Sequence, residues 1–132
     1  MHVTGHCYCR KITFEAEVDP ATVTVCHCTD CQEITGSAYR AVVRASGFKL
    51  LSGAPKVWIK LAESGNKRAH SFCADCGSPI YSGDPNGNLD VVSLRTGTLD
   101  QRRELTPVKQ IWTRSALPWA MDLHDLEGHE KG

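Results

Sequence analysis

The sequence lacks the features that mark several whole classes of protein. No apolar run reaches the roughly 18 residues that a membrane-spanning helix needs. Neither sign of charge is in excess, because 15 Lys and Arg balance 15 Asp and Glu, whereas nucleic-acid-binding domains usually carry a basic surplus. The first residues also lack the apolar stretch of a secretory signal. We therefore expect a cytoplasmic protein that binds neither nucleic acid nor a membrane.

Common catalytic motifs and internal repeats are missing as well. The sequence has no G-x-G-x-x-G, no Walker motif and no H-E-x-x-H. Its composition, with 41% hydrophobic and 23% charged residues among 132, is that of a globular chain. This length fits one domain, which we place at residues 1–120, followed by a polar C-terminal tail at 121–132.

Alternating apolar and polar residues predict a mainly β fold. The clearest alternation runs from Ile12 to Val18, with Phe14 and Ala16 on the same face. Further strands are predicted at 22–25, 39–44, 48–51, 57–61, 68–72 and 89–94. This spacing of short strands indicates a sandwich or a partly open barrel.

One short helix is predicted near the middle cysteines. The segment from Thr29 to Gln32 has the Thr-x-x-Gln spacing of a capping box. Gly36 then offers a C-terminal stop. Cys31 would lie in the first turn, where free backbone N–H groups favour a thiolate over a thiol.

Cysteine is the residue that the chain has in unusual number and arrangement. Seven cysteines fall in three groups, at 7 and 9, at 26, 28 and 31, and at 73 and 76. An odd number in a chain without a secretory signal is a poor disulfide framework. Spacings of two and three residues are instead typical of metal ligation.

The first and third groups predict a closed metal site. Cys73 and Cys76 can bind one ion because Gly77 permits a tight turn. Cys7 and Cys9 form the natural second pair, on one face of a strand that bends near Gly5. Four thiolates would form a tetrahedral zinc site with a structural role. The alternative is a set of four buried, reduced cysteines.

The middle group predicts a different kind of site. Cys26, Cys28 and Cys31 supply three ligands, and an open fourth position is typical of catalytic zinc. Three thiolates make zinc a weak generator of hydroxide, but they allow a soft thiol as fourth ligand. The pattern therefore favours chemistry on a sulfur substrate. Three alternatives stay open: a closed site completed by His6 or His27, a metal-free redox pair of Cys28 and Cys31, and iron in place of zinc.

Other residues that often carry chemistry give weaker signals. The side chain of His27 is expected to point away from the metal, because it lies between two ligands. His70 is expected to be a surface or packing residue. Trp112 and Trp119 are expected to pack in the core rather than to line a pocket.

Three segments resemble the signatures of the glutathione-dependent formaldehyde-activating family, which is also called the centromere protein V family. They are GHCYC at 5–9, CHCTDCQ at 26–32 and FCADCGS at 72–78. Segments at 97–100, 107–111 and 117–119 are similar to the C-terminal part of the family. The resemblance covers about residues 3–120.

The resemblance implies both a fold and an activity. It implies a β-tent fold of antiparallel sheets with zinc-binding loops, a structural zinc and a catalytic zinc. The structural ion would lie on Cys7, Cys9, Cys73 and Cys76, and the catalytic ion on Cys26, Cys28 and Cys31. The implied reaction is of the carbon–sulfur lyase type and adds glutathione, or another thiol, to a small aldehyde; formaldehyde gives S-hydroxymethylglutathione. The alternative is a non-catalytic zinc-binding interaction module with the same fold.

The sequence departs from the family pattern at three positions. Arg10 stands where the family usually has glycine, Glu33 where a basic residue is common, and Gln110 where the family usually has histidine.

Overall fold

The computed structural model describes residues 1–132 as nine strands and one α-helix. The strands are β1 (His2–His6), β2 (Thr13–Val18), β3 (Thr24–Cys26), β4 (Arg40–Ser52), β5 (Lys56–Leu61), β6 (Lys67–Phe72), β7 (Pro79–Gly83), β8 (Val91–Arg95) and β9 (Lys109–Ile111). The helix, α1, is Thr29–Thr35, and short 3-10 turns cover Pro20–Thr22, Thr96–Thr98, Thr113–Ser115 and Pro118–Met121. The predicted mainly antiparallel β fold with one short helix is confirmed. No helix has the length and apolar character that crossing a membrane requires.

The strands form one sheet in which a single pair is parallel. Seven strands follow in the order β1-β2-β4-β8-β7-β6-β5, and each neighbouring pair is antiparallel. β3 pairs with β4 in the antiparallel sense and with β9 in the parallel sense. The parallel pair brings the C-terminal part of the chain beside the strand that ends at Cys26.

Several strand bounds differ from those predicted. The segments at 39–44 and 48–51 belong to one strand of 13 residues, β4, and Gly47 continues it with a φ of 59°. The sequence did not predict β7 or β9, and the strand that it predicted at Cys7 and Cys9 lies just before them, as β1. In β7 four of five residues are buried, so the strand lacks the alternation that marks a half-exposed strand.

A cluster of 16 buried residues forms the core. Phe14, fully buried, contacts Phe48 with ring centroids 5.4 Å apart, and Phe48 contacts Tyr81 at 5.1 Å. Burial of one such ring contributes about 2–3 kcal/mol. Gly5 lies against the ring of Phe14, where any Cβ would overlap it. Glycine is therefore required at this position by close packing.

A second face of the sheet is polar and basic. Across β3 and β4, Cys26 is the partner of Arg40, and across β4 and β8, Val42 is the partner of Arg95. Cross-strand partners share a face, as do residues two apart on one strand. Cys26, Arg40 and Arg95 therefore project from the same face, beside which α1 places Cys31.

Candidate metal centres

The structure brings the first and third cysteine groups together. The sulfurs of Cys7, Cys9, Cys73 and Cys76 all lie within 4.8 Å of one another. Cys7 Sγ is 3.5 Å from Cys9 Sγ, which is 3.7 Å from Cys73 Sγ. Two sulfurs on one tetrahedral zinc lie about 3.8 Å apart. The donor set and its spacing therefore fit a metal ion.

The first pair of sulfurs converges through a turn rather than along a strand. β1 ends at His6, and the N–H of Arg10 donates to the carbonyl of Cys7 at 3.0 Å. Arg10 closes this turn with a φ of 65°. The expectation that Cys7 and Cys9 share a strand face was wrong. Gly5 does not bend the chain either, since it lies within β1.

The second pair lies in the turn between β6 and β7. The N–H of Gly77 donates to the carbonyl of Cys73 at 2.8 Å, and Gly77 has a φ of 78°. The tight turn that was predicted from the position of Gly77 is therefore present. The N–H of Tyr8 donates to the hydroxyl of Ser78 at 2.9 Å, which links the two turns directly.

Hydrogen bonds set the charge within this cluster. Hydrogen bonds from Ser78 lower the pKa of Cys76 to about 5. A backbone hydrogen bond from Lys11 lowers the pKa of Cys9, but desolvation and the neighbouring sulfurs outweigh it and raise this pKa to about 12. Thiolates this close repel one another, so one sulfur ionises at the expense of another. A divalent cation bound between the sulfurs would offset this repulsion.

The middle group forms its own cluster at the start of α1. Cys26 ends β3, Cys28 caps the helix, and Cys31 is buried in the first turn. The backbone N–H of Cys31 donates to Cys28 Sγ at 3.2 Å. The helix cap is therefore a cysteine sulfur, not Thr29 as the capping-box pattern predicted. Gly36 ends the helix with a φ of 62°, as predicted.

Gln32 has another role than the one the capping box assigned to it. Its amide donates to the carbonyl of His27 at 2.9 Å and to the carbonyl of Ser115 at 3.0 Å. It therefore fastens the helix to the chain before it and to the C-terminal segment, instead of capping the helix.

The three sulfurs lie within 4.8 Å of one another, and no other cysteine, histidine or carboxylate belongs to the group. Cys28 Sγ and Cys31 Sγ are 2.9 Å apart, a distance that must open to about 3.8 Å on a tetrahedral ion. His6 Nδ1 is 2.9 Å from the carbonyl of Cys7, and its Nε2 is 3.4 Å from a carboxylate oxygen of Asp100. The cluster therefore offers three candidate ligands and no fourth side chain.

His27 points away from the cluster, as expected. Its ring is buried, and Nε2 lies 2.9 Å from the side-chain oxygen of Gln110. The edge of this ring also contacts Tyr39. Gln110 is the residue that departs from the family pattern, and it forms this contact across the parallel pair of β3 and β9.

The charges around the three-cysteine cluster favour anionic sulfur. A hydrogen bond from Cys31 lowers the pKa of Cys26 to about 5, and the charge of Arg40 acts in the same direction. The hydrogen bond with Cys26, together with burial, raises the pKa of Cys31. Cys26 therefore ionises before Cys31, and a metal ion that bound both sulfurs would displace the proton of Cys31.

A cleft of about 670 Å³ opens beside Cys28. It lies between the start of α1, the β5–β6 hairpin and the segment after β9. Lys60 and Asp30 form an ion pair of 2.6 Å at its wall, and Arg114 stacks on the ring of Trp112 at 5.2 Å. This size and mixed polarity are typical of a small-molecule site.

Some residues of these sites were missed or misjudged from the sequence. Trp112 and Trp119 are 51% and 60% exposed, so the expectation that they pack in the core was wrong. His70 is buried, which makes it a packing residue and not a surface one. Lys60 and Arg40 have no local signal, because only their cross-strand positions bring them to the site.

Two cysteine clusters on a mainly antiparallel sheet define a small β protein with two candidate metal centres. The family model described as glutathione-dependent formaldehyde-activating enzyme matches residues 2–115. The chain belongs to this family. A protein of solved structure from Rhodobacter sphaeroides has a similar fold, with a TM-score of 0.60 at 19% identity over 81% of this chain and 98% of that chain. No curated protein matches the sequence.

Proposed function

We propose that the protein is a zinc-dependent enzyme of the carbon–sulfur lyase type that joins glutathione, or a similar small thiol, to formaldehyde or another small aldehyde. Membership of the family supports this proposal. The observation that carries it is the three-cysteine cluster without a fourth side-chain ligand, next to an open cleft.

The two clusters would have different roles. Cys7, Cys9, Cys73 and Cys76 would hold a structural zinc, since four thiolates complete its coordination. Cys26, Cys28 and Cys31 would hold the catalytic zinc, which supplies Lewis acidity that keeps a substrate thiol ionised at neutral pH or polarises an aldehyde oxygen.

The reaction mainly requires that the thiol and the aldehyde are held in the correct relative orientation. The substrate sulfur gives up its proton and attacks the carbonyl carbon, so that a C–S bond forms and the C=O double bond becomes a single bond. The resulting alkoxide oxygen takes up one proton, and the product is a hemithioacetal, which carries an S-hydroxymethyl group when the aldehyde is formaldehyde. Holding the sulfur and the carbonyl carbon in contact is therefore the main task of the cleft.

The charges of the cleft suit a zwitterionic thiol such as glutathione. Lys60 and Arg114 are cations that can bind carboxylates, and Asp30 and Glu63 are anions that can bind an ammonium group. Because Asp30 follows Cys28 by two positions in the same turn, its ion pair with Lys60 places both charges close to the sulfur cluster. Glutathione carries two carboxylates and one ammonium group, and their charges are opposite to those of these cleft side chains.

Replacement of the metal by cobalt(II) tests the open position. We expect the visible d–d bands of the cobalt protein to shift when glutathione is added, because a new sulfur ligand changes the field at one ion. S-methylglutathione is the matched control, since it keeps the charges but has no thiol. The Cys28→Ser variant should lose this response.

The chemistry needs its own measurement. Exchange NMR with ¹³C-formaldehyde and glutathione should show faster formation of the hydroxymethyl adduct with the wild-type protein than with Cys28→Ser. Two cobalt ions per chain without any spectral response to glutathione would contradict the proposal. The three-cysteine centre would then be part of a non-catalytic interaction module.

A further inference from the structure

Arg95, at the end of β8, is a buried cation without a carboxylate partner, although the nearby sulfur of Cys31 acts on it as a negative charge. Its side chain is 4% exposed, and no carboxylate forms an ion pair with it. One of its terminal nitrogens, Nη2, lies 3.2 Å from Nδ1 of His70, while Nε and Nη1 have no hydrogen-bond partner. Buried polar groups are almost always paired, and an unpaired buried charge is costly. Two nitrogens of the Arg95 guanidinium group therefore lack the hydrogen-bond acceptor that a buried cation normally has.

Arg95 borders a cavity of about 260 Å³ that is separate from the cleft beside Cys28. The two spaces have no lining residue in common. Apolar side chains form much of the cavity wall, among them Ile34, Trp58 and Phe72. Its polar side chains are Arg95, His70 and Ser71, and the Ser71 hydroxyl accepts a hydrogen bond from the N–H of Tyr81. The ring of His70 stacks on Trp58 at 5.1 Å.

His70 adds a second donor to the cavity. A guanidinium group can only donate, so the contact with Arg95 makes Nδ1 of His70 an acceptor. Burial, aided by the charge of Arg95, lowers the pKa of His70 to about 4, so that the ring is neutral. A neutral ring that accepts at Nδ1 carries its proton on Nε2. Arg95 and His70, which both line the cavity, thus both carry N–H donors.

The surroundings of this pair are also positive. Arg40, Arg68 and Lys60 all act on His70 as cations. Neither Arg40 nor Arg68 forms an ion pair, and Nε of Arg40 is buried without a partner. Lys60 is the exception, because it is paired with Asp30. An anion in the cavity would therefore meet attraction from several directions.

We propose that this cavity binds a small carboxylate, whose oxygens accept hydrogen bonds from Arg95 and His70 while its short hydrocarbon part lies against Trp58 and Ile34. The planar guanidinium group of arginine can donate two parallel hydrogen bonds to the two oxygens of one carboxylate. The apolar wall favours an organic anion over phosphate. This inference goes beyond the proposed function, because neither the three-cysteine cluster nor its cleft is needed for it.

The test uses the metal-loaded protein with ¹⁵N-labelled arginine. Sodium butyrate is the probe, and butyramide, which has nearly the same shape but no charge, is the matched control. We expect a saturable shift of the Arg95 Nε–H resonance with butyrate and none with butyramide or with chloride at equal ionic strength. The absence of a shift with butyrate, or an equal shift with butyramide, would overturn the proposal.

Two variants make the result specific. Arg95→Lys keeps the positive charge but loses the planar guanidinium group, so the affinity for butyrate should fall by about tenfold or more. The resonance of the indole N–H of Trp58 reports this affinity. Trp58→Ala removes an exposed part of the wall and should weaken binding even if Arg95→Lys fails to fold. Arg103→Lys, at an exposed position, is the control and should bind normally. Undiminished binding by Trp58→Ala, or inorganic phosphate binding as tightly as butyrate, would overturn the carboxylate assignment.

Discussion

Cys26 and Arg40 are direct partners across the antiparallel pair of β3 and β4. This register places a cation beside one sulfur of the three-cysteine cluster. A divalent ion with three thiolates has a net charge of −1, which a nearby guanidinium offsets. The strand register therefore places a compensating positive charge next to the candidate metal centre.

Arg40→Gln should weaken metal binding at the three-cysteine centre. Without the cation, the pKa of Cys26 rises, since Arg40 acts with the stronger hydrogen bond from Cys31 to lower it. Protons then compete better with the metal. We expect the affinity of this centre for its metal ion to fall about tenfold, and acid to release the ion at a higher pH than in the wild type. Competition with a chromogenic chelator measures both effects.

Arg44→Gln is the control, because Arg44 lies on the same strand but is exposed. Equal weakening of both metal centres by Arg40→Gln would mean that the variant destabilises the fold and does not act on the cluster charge.

The two clusters should respond differently to loss of one sulfur. The four-cysteine cluster joins the turn after β1 to the turn after β6, which are 64 residues apart at Cys9 and Cys73. Cys76→Ser should therefore lower the free energy of unfolding by more than about 3 kcal/mol, because binding energy at a closed site is folding energy. Cys28→Ser should stay folded with one metal fewer. Urea unfolding and metal analysis check both, and equal unfolding of the two variants would contradict the division into structural and catalytic sites.

Arg10→Gly should stabilise the protein. Arg10 has a φ of 65°, a conformation that costs an L-residue with a Cβ about 1–2 kcal/mol, and glycine avoids that cost at the expense of greater freedom when unfolded. We expect a net gain of up to about 1 kcal/mol in urea unfolding of the metal-loaded protein. Arg10→Ala keeps the Cβ and is the matched control. A gain in the alanine variant equal to that in the glycine variant would assign the effect to the lost arginine side chain.

His70 should make stability depend on pH. Burial, followed by the charge of Arg95, lowers its pKa from 6.5 to about 4 in the folded protein. The unfolded chain therefore binds a proton between these values and the folded protein does not. The part of the folding stability that depends on a neutral His70 is fully present above about pH 6.5 and is lost as pH falls towards 4. This part of the free energy of unfolding amounts to about 3 kcal/mol.

His70→Gln should remove this dependence while keeping an acceptor for Arg95. Unfolding free energies of variant and wild type, compared at matched pH values, should converge as pH falls from 7 to about 4. His124→Gln, at an exposed position, is the control. A constant difference between His70→Gln and wild type across this range would exclude titration of His70 as the cause.

The sequence by itself determined the strongest features of this protein. The spacing of seven cysteines determined the division into a set of four and a set of three, because sulfurs two or three residues apart can reach one ion. Period-two alternation in segments such as 12–18 determined the mainly β fold. Gly36 determined where the helix ends, and Gly77 the turn between the last two cysteines, since both have positive φ.

Tertiary structure decided what these features could not. The convergence of Cys7 and Cys9 depends on a turn closed by Arg10, and no local pattern favours positive φ at an arginine. The capping of α1 by Cys28 and the pairing of Cys26 with Arg40 depend on how β3 joins the sheet. The placement of Arg95 beside His70 and of Trp112 beside Cys28 depends on contacts between distant parts of the chain. Such contacts are fixed by packing and strand register over the whole sheet, so the two cysteine clusters could be predicted from spacing, whereas the charges and cavities around them could not.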